Sequence, residues 1–182
     1  MTITNPLRSL EFSALGGQPA FDPGDLERFL GQRRIATLAY VRRDGRPNQA
    51  PIWYTLTDGV FYMSTVTNGA KHRALQRSPR VSLSIQDERP PYRAVIIEGT
   101  AELAPLDPNN DPTAGMATRY FGKVAAAAYD RITAETYERS GLTVVTVVPT
   151  AVKGFDNTNA LSAGERAFTS VREFLPVPRA WL

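Results

Sequence analysis

Polar and apolar positions along the chain follow two rhythms. Alternating or β-branched runs recur at Ile35–Val41 (IATLAYV), Val60–Thr65 (VFYMST), Arg80–Ile85 (RVSLSI), Arg93–Leu103 and Leu142–Val148 (LTVVTVV), and each predicts a strand. Arg43-Asp44-Gly45-Arg46 turns the first strand into a second long run, Arg46–Thr57. Pro47 and Pro51 fall inside that run, and proline cannot donate to a ladder. The strand therefore lies at an edge, is bulged, or begins after Pro51. Asp58-Gly59 is a hairpin turn signal, since glycine accepts the positive φ such turns need. Gly99 marks a bulge or a close approach. Pro149 interrupts the last run, which resumes at Ala151–Phe155.

Helical spacing appears between the strands. Asp22-Pro23 reads as N-cap and first helical residue, Leu26, Phe29 and Leu30 form an apolar stripe, and Gly31 closes the helix. Thr67-Asn68-Gly69 breaks the strand pattern before a basic helix that opens at Ala70–Leu75 and ends at Pro79. Asp87–Tyr92 and Pro105–Pro112 are proline-rich loops. Thr113 to about Tyr129, and then Ile132–Arg139, predict two further helices. The fold expected is mainly β with flanking helices, an antiparallel barrel. Strand–helix alternation of the length a Rossmann sheet needs is missing, as is GxGxxG. The organisation expected is a loosely held arm at 1–21, broken by Gly16-Gly17 and Pro19, a barrel domain at 22–157, and a tail at 158–182. The tail, with Trp181 and Leu182, is expected to pack on the barrel or on a partner chain.

Composition narrows the chemistry. A chain of 182 residues, 42% hydrophobic, suits one globular domain. It has no cysteine, which excludes disulfides, thiolate nucleophiles, iron–sulfur clusters and Cys-ligated zinc. Neither a signal peptide nor a membrane-spanning helix is legible, so the expected place is the cytoplasm. A net charge of +3 favours an anionic ligand and is too small and dispersed for nucleic acid. His72 is the single histidine: it cannot form a zinc triad, and no GxSxG accompanies it. It remains the one candidate haem ligand. Asp107, Asn109-Asn110 and Asp111 resemble a calcium loop only in composition. No metal site is expected.

The chemistry concentrates where Val60–Thr65 meets the basic helix. Hydroxyls of Ser64 and Thr65, free N–H groups of a helix start and the ammonium of Lys71 converge in sequence, which is what a phosphate binds. An ordinary surface loop with a solvated lysine is the alternative.

The order DGRPxxxPxW, DG, a strand ending ST, AKxRxL and SPRVSL, with PPYR and VIIEGTAEL further on and VKGF at Val152–Phe155, resembles the split-barrel flavin- and deazaflavin-binding family. That family includes pyridoxamine 5′-phosphate oxidase and oxidoreductases that use coenzyme F420. The resemblance covers roughly residues 24–157. It implies a split β-barrel, a homodimer with the cofactor between protomers, and a small-molecule substrate. It implies Ser64, Thr65 and Lys71 as phosphate contacts, assisted by Asn68 or Arg73, with Gln49, Ala50, Pro51 and Trp53 along the ring. Trp53 reads equally as a core aromatic. The run Asn48–Tyr54 lacks the arginine and lysine with which the oxidase itself grips FMN, and PPYR resembles the F420 branch; Asn68-Gly69 stands where that branch often has another basic residue. The expected function is hydride transfer between F420 and a small organic substrate. FMN is the alternative cofactor, and a non-catalytic flavin- or haem-binding protein is the alternative class. No catalytic residue is identified; Tyr54, Tyr62 and Tyr92 are candidate proton donors.

Overall fold

A computed structural model describes residues 5–165 and 167. The apolar tail at 174–182 lies outside the described residues, and so does the packing expected of it. Among the described residues eight strands form one sheet: β1 (Phe12–Ala14), β2 (Ala36–Val41), β3 (Pro47–Ile52), β4 (Thr55–Thr57), β5 (Val60–Val66), β6 (Arg80–Gln86), β7 (Arg93–Pro105) and β8 (Leu142–Asp156). Their order is β3-β2-β6-β7-β8-β5-β4, antiparallel at every step, with β1 added parallel to β8. Flanking it among the described residues are α1 (Pro6–Ser9), α2 (Pro23–Gly31), α3 (Ala70–Arg77), α4 (Met116–Phe121) and α5 (Lys123–Ser140). This is the split-barrel fold, mainly antiparallel β with flanking helices.

The long β7–β8 ladder is the spine. Glu98 pairs Ala151 and Gly99 pairs Pro149, so Thr150 is an extra residue that bends the strand. Pro149 therefore sits at a bulge inside one continuous strand and does not end it. A Cβ on Gly99 would stand 2.6 Å from the Val148 carbonyl oxygen, so only glycine fits there. Alternate residues fill the core: Leu38 of β2, Leu83 and Ile85 of β6, Val95 and Ile97 of β7, Val145 and Val147 of β8, Phe61 and Met63 of β5. Each such burial contributes roughly 1.5–3 kcal/mol.

The helix α2 closes one end of the core. Asp22 accepts from Gly24 N at 3.0 Å, and Leu26, Phe29 and Leu30 are all buried. The Tyr54 hydroxyl donates to the Leu30 carbonyl at 2.8 Å, satisfying an orphan acceptor at the helix end. Arg34 lies over the Phe29 ring at 3.9 Å and reaches Asp87 at 2.5 Å, while Arg93 takes the other Asp87 oxygen at 2.6 Å. The loop after β6 is thereby tied to α2.

Three expectations change. Residues 5–21 are not a loose arm: β1 pairs with β8, Leu7 and Phe21 are buried, and Phe21 meets the Phe29 ring at 5.0 Å. The run Arg46–Thr57 divides into β3 and β4 around Trp53-Tyr54, where Tyr54 N donates to the Tyr120 hydroxyl at 3.2 Å instead of to a strand. The break between the last helices falls at Gly122, whose φ of 79° ends α4. With no glycine or proline between Tyr129 and Ile132, α5 runs unbroken to Ser140.

Candidate cofactor site

The junction of β5 and α3 is held from both sides. Asp58 and Gly59, at φ 51° and 78°, make the two-residue turn that sets the register of β4 on β5. Ser64 pairs Val144 and Thr65 pairs Thr143 on β8. The Thr67 and Thr143 hydroxyls meet at 2.8 Å, and Thr67 N donates to Gly141 O at 3.0 Å. Asn68 takes φ 59°, and Gly69 is an N-cap without a side chain, so no side-chain oxygen occupies the first amides of α3.

These elements border a cavity of about 430 Å³. Ser64, Thr65, Val66 and Lys71 line one side; Ile35, Pro51, Ile52 and Trp53 line another. Met116, Tyr129, Tyr137 and Leu142 complete it. Lys71 is half-buried, and among the described residues it makes no hydrogen bond and no ion pair. Burial holds its pKa below the ordinary lysine value. The side chains of Ser64 and Thr65 likewise have no partner among the described residues. Trp53 stacks on Tyr120 at 5.0 Å and 10°, and packs against Phe121 and Tyr129 at 4.9 and 5.1 Å. It is a cluster aromatic and a cavity wall at once.

Pro51, Trp53, Ser64, Thr65 and Lys71 are thus brought together. Gln49, Ala50, Asn68 and Arg73 do not line the cavity. Ala50 packs on the core, and Gln49 is exposed on β3. Arg73 lies two residues beyond Lys71, about 200° around the helix, and donates to the Asn68 carbonyl. His72 is buried, its Nδ1 has no partner among the described residues, and it lines none of these cavities. Among the proton-donor candidates, Tyr54 is engaged with Leu30 and its pKa is raised, foremost by burial; neither Tyr62 nor Tyr92 borders this cavity. Tyr129 and Tyr137 do, with hydroxyls 2.8 Å apart. Splitting α5 at Tyr129 hides this pair; an unbroken helix puts them two turns apart.

Two more cavities adjoin. One of about 660 Å³ shares Ile35 and Pro51 and is bordered by Arg33, Arg34 and Arg89. One of about 290 Å³ shares Trp53, Ser64, Met116, Tyr129, Tyr137 and Leu142. Among the described residues no helix is long and apolar enough to cross a membrane.

The family profile described as pyridoxamine 5′-phosphate oxidase matches residues 23–154, a span that holds every residue of the 430 Å³ cavity. The chain belongs to the pyridoxamine 5′-phosphate oxidase family. Members of this family bind flavin-type cofactors and include oxidoreductases. Solved structures of the same fold include a conserved hypothetical protein from Mycobacterium tuberculosis, at 23% identity and TM-score 0.62, covering 80% of this chain and 92% of that one. HutZ, the haem storage protein from Vibrio cholerae, matches at 12% identity and TM-score 0.51, covering 71% and 91%. General Stress Protein 26 from Bacillus anthracis matches at 15% identity and TM-score 0.50, covering 72% and 92%. No curated protein matches the chain. The donor set of the site fits the family's cofactors: an unpartnered ammonium and two unpartnered hydroxyls suit a phosphate, and the adjoining walls are apolar and aromatic.

Proposed function

We propose that this protein is an oxidoreductase that transfers a hydride between the deazaflavin coenzyme F420 and a small organic substrate, and that it works as a homodimer. The observation that carries the reading is Lys71, a desolvated ammonium without a partner among the described residues, facing the same cavity as Ser64 and Thr65. An isolated cation in such a place is costly until an anion joins it. A phosphate would accept from the ammonium, both hydroxyls and the uncapped amides of α3.

Lys71, Ser64 and Thr65 would hold the phosphate, and Pro51, Ile52 and Trp53 would wall the ring. When bound, the ring supplies or takes up the hydride. The residues of the chain bind, orient and exclude water; Ile35, Ile52, Met116 and Leu142 offer apolar wall on which water has nothing to bond. The preference for F420 over FMN rests on the 660 Å³ cavity beside Pro51. F420 has an anionic tail that FMN lacks, and three arginines, Arg33, Arg34 and Arg89, border that cavity against two carboxylates, Glu88 and the Asp87 already paired with Arg34 and Arg93. Arg34 is committed to Asp87, whereas Arg33 is exposed and spends one N–H on Tyr120 O, leaving donors of its fork in place.

A side-by-side fluorescence titration of F420 and FMN tests the reading. Tighter binding of F420 supports it. Tighter binding of FMN makes the protein an FMN-dependent oxidase or reductase, and binding of neither removes the cofactor assignment altogether.

A further inference from the structure

Tyr129 and Tyr137 stand between two chambers, since both border the 430 Å³ cavity and its 290 Å³ neighbour. The smaller chamber has walls of its own from Leu106, Asp111, Asp130, the 113–115 segment before α4, and Ala117 and Thr118 of α4. The two hydroxyls lie 2.8 Å apart, and neither has another partner among the described residues. Two phenolic hydroxyls carry two protons, and their mutual bond uses one. The other O–H is unspent and available to an occupant of the chamber. Burial pushes Tyr129 up to about 12, so the proton stays in place at neutral pH.

Resting on the reading of the larger cavity as the cofactor site, we propose that the 290 Å³ chamber takes the substrate, a small neutral carbonyl compound whose oxygen accepts a hydrogen bond from the Tyr129–Tyr137 pair. The chamber selects for this chemistry in three ways. Asp111 and Asp130 border it and no cation does, so a carboxylate substrate is repelled. Trp53 and the two tyrosines supply ring surface for a flat body. A neutral O–H donor suits a carbonyl oxygen, and 290 Å³ lies just under the usual range of ligand cavities, about 300–1,000 Å³, which calls for a small molecule.

The test compares cyclohex-2-enone with cyclohexene, which lacks the oxygen, by ligand-observed NMR titration. It is run on the protein alone and on protein saturated with whichever of F420 and FMN binds. The enone is expected to bind wild-type protein more tightly than cyclohexene, with and without cofactor. In Tyr129→Phe/Tyr137→Phe its Kd should rise about three- to tenfold, the worth of one neutral hydrogen bond, while that of cyclohexene stays constant. Equal binding of the two probes to wild type overturns the proposal, as does unchanged enone affinity in the variant. Displacement of the enone by cofactor also overturns it, because the two chambers would then be one site. If the double variant does not fold, the wild-type preference for the enone over cyclohexene is read without any variant and decides alone, since a single Tyr→Phe leaves the other O–H free to donate. Failure of both cofactors to bind leaves the probe comparison intact, so the cofactor assignment then falls separately from this one.

Discussion

Replacing Lys71 with Met separates binding from stability, because the two should move in opposite directions. Met keeps an unbranched stem in the cavity wall and removes the ammonium. A charge-assisted hydrogen bond contributes roughly 1.5–3 kcal/mol, so the cofactor Kd should rise about ten- to over a hundredfold. Stability of the cofactor-free protein should rise. Burial lowers the pKa of Lys71 below its unfolded value of 10.5, so the folded chain holds this proton less tightly than the unfolded chain. The cost of the buried charge is full below the folded pKa and is relieved as pH climbs from there through the unfolded value. The variant should therefore melt above wild type at neutral pH, with the gap closing in alkali. Cofactor reverses the order. At a concentration of a hundred times the wild-type Kd it adds about 2.7 kcal/mol to wild type, but only about 0.4 kcal/mol to a variant bound a hundredfold more weakly. Thermal melts with and without cofactor, paired with fluorescence titration, read all of this. An unchanged Kd places the phosphate elsewhere, and a variant that melts below wild type without cofactor refutes the picture of an uncompensated ammonium.

Three further outcomes are expected. Gly154→Ala should cost about 1–3 kcal/mol in denaturant unfolding, because its Cβ would stand 2.1 Å from the backbone oxygen of Ala94; an unmoved midpoint refutes the close approach. Tyr54, Tyr120 and Tyr129 all have pKa values raised chiefly by burial, so the folded state holds their protons more tightly than the unfolded state. Their contribution is constant below the unfolded value of 10.0 and is lost as pH rises through the folded values; Tyr129→Phe should blunt the loss between about pH 10 and 12 in thermal melts, and equal loss in both proteins excludes Tyr129 as a contributor. Light scattering should give twice the chain mass of 20.0 kDa, and a clean monomer that still binds cofactor refutes the dimer.

Much of the fold was legible because its signals are local. Asp58-Gly59, Pro79 and Asp22-Pro23 each act on the backbone within a few residues, and each stands at the boundary it marks. The meeting of Ser64, Thr65 and Lys71 at one cavity was legible for the same reason: they sit on one continuous strand–turn–helix. What escaped is set by distance along the chain. β1 looks like a glycine-broken arm until β8, some 140 residues later, offers it an edge. Met116, Tyr129 and Tyr137 reach the cavity only because α4 and α5 fold back over Trp53, and Leu142 because β8 pairs with β5 at Val66; no local pattern in Trp53 announces either. Arg73 and Asn68 stand beside this stretch in sequence but do not line the cavity, and Arg73 donates to the Asn68 carbonyl.

The prolines of β3 limit how copies of this chain can meet. Pro47, Gln49 and Pro51 are two apart and orient their backbone alike, and with β2 on one flank the proline nitrogens belong on the other. An incoming strand would find one N–H there, that of Gln49, where an ordinary edge of this length offers three. The β3 edge is thus guarded against strand addition, the route that leads from an exposed edge to open-ended fibres. A second copy of the chain therefore gains little by adding a strand at this edge.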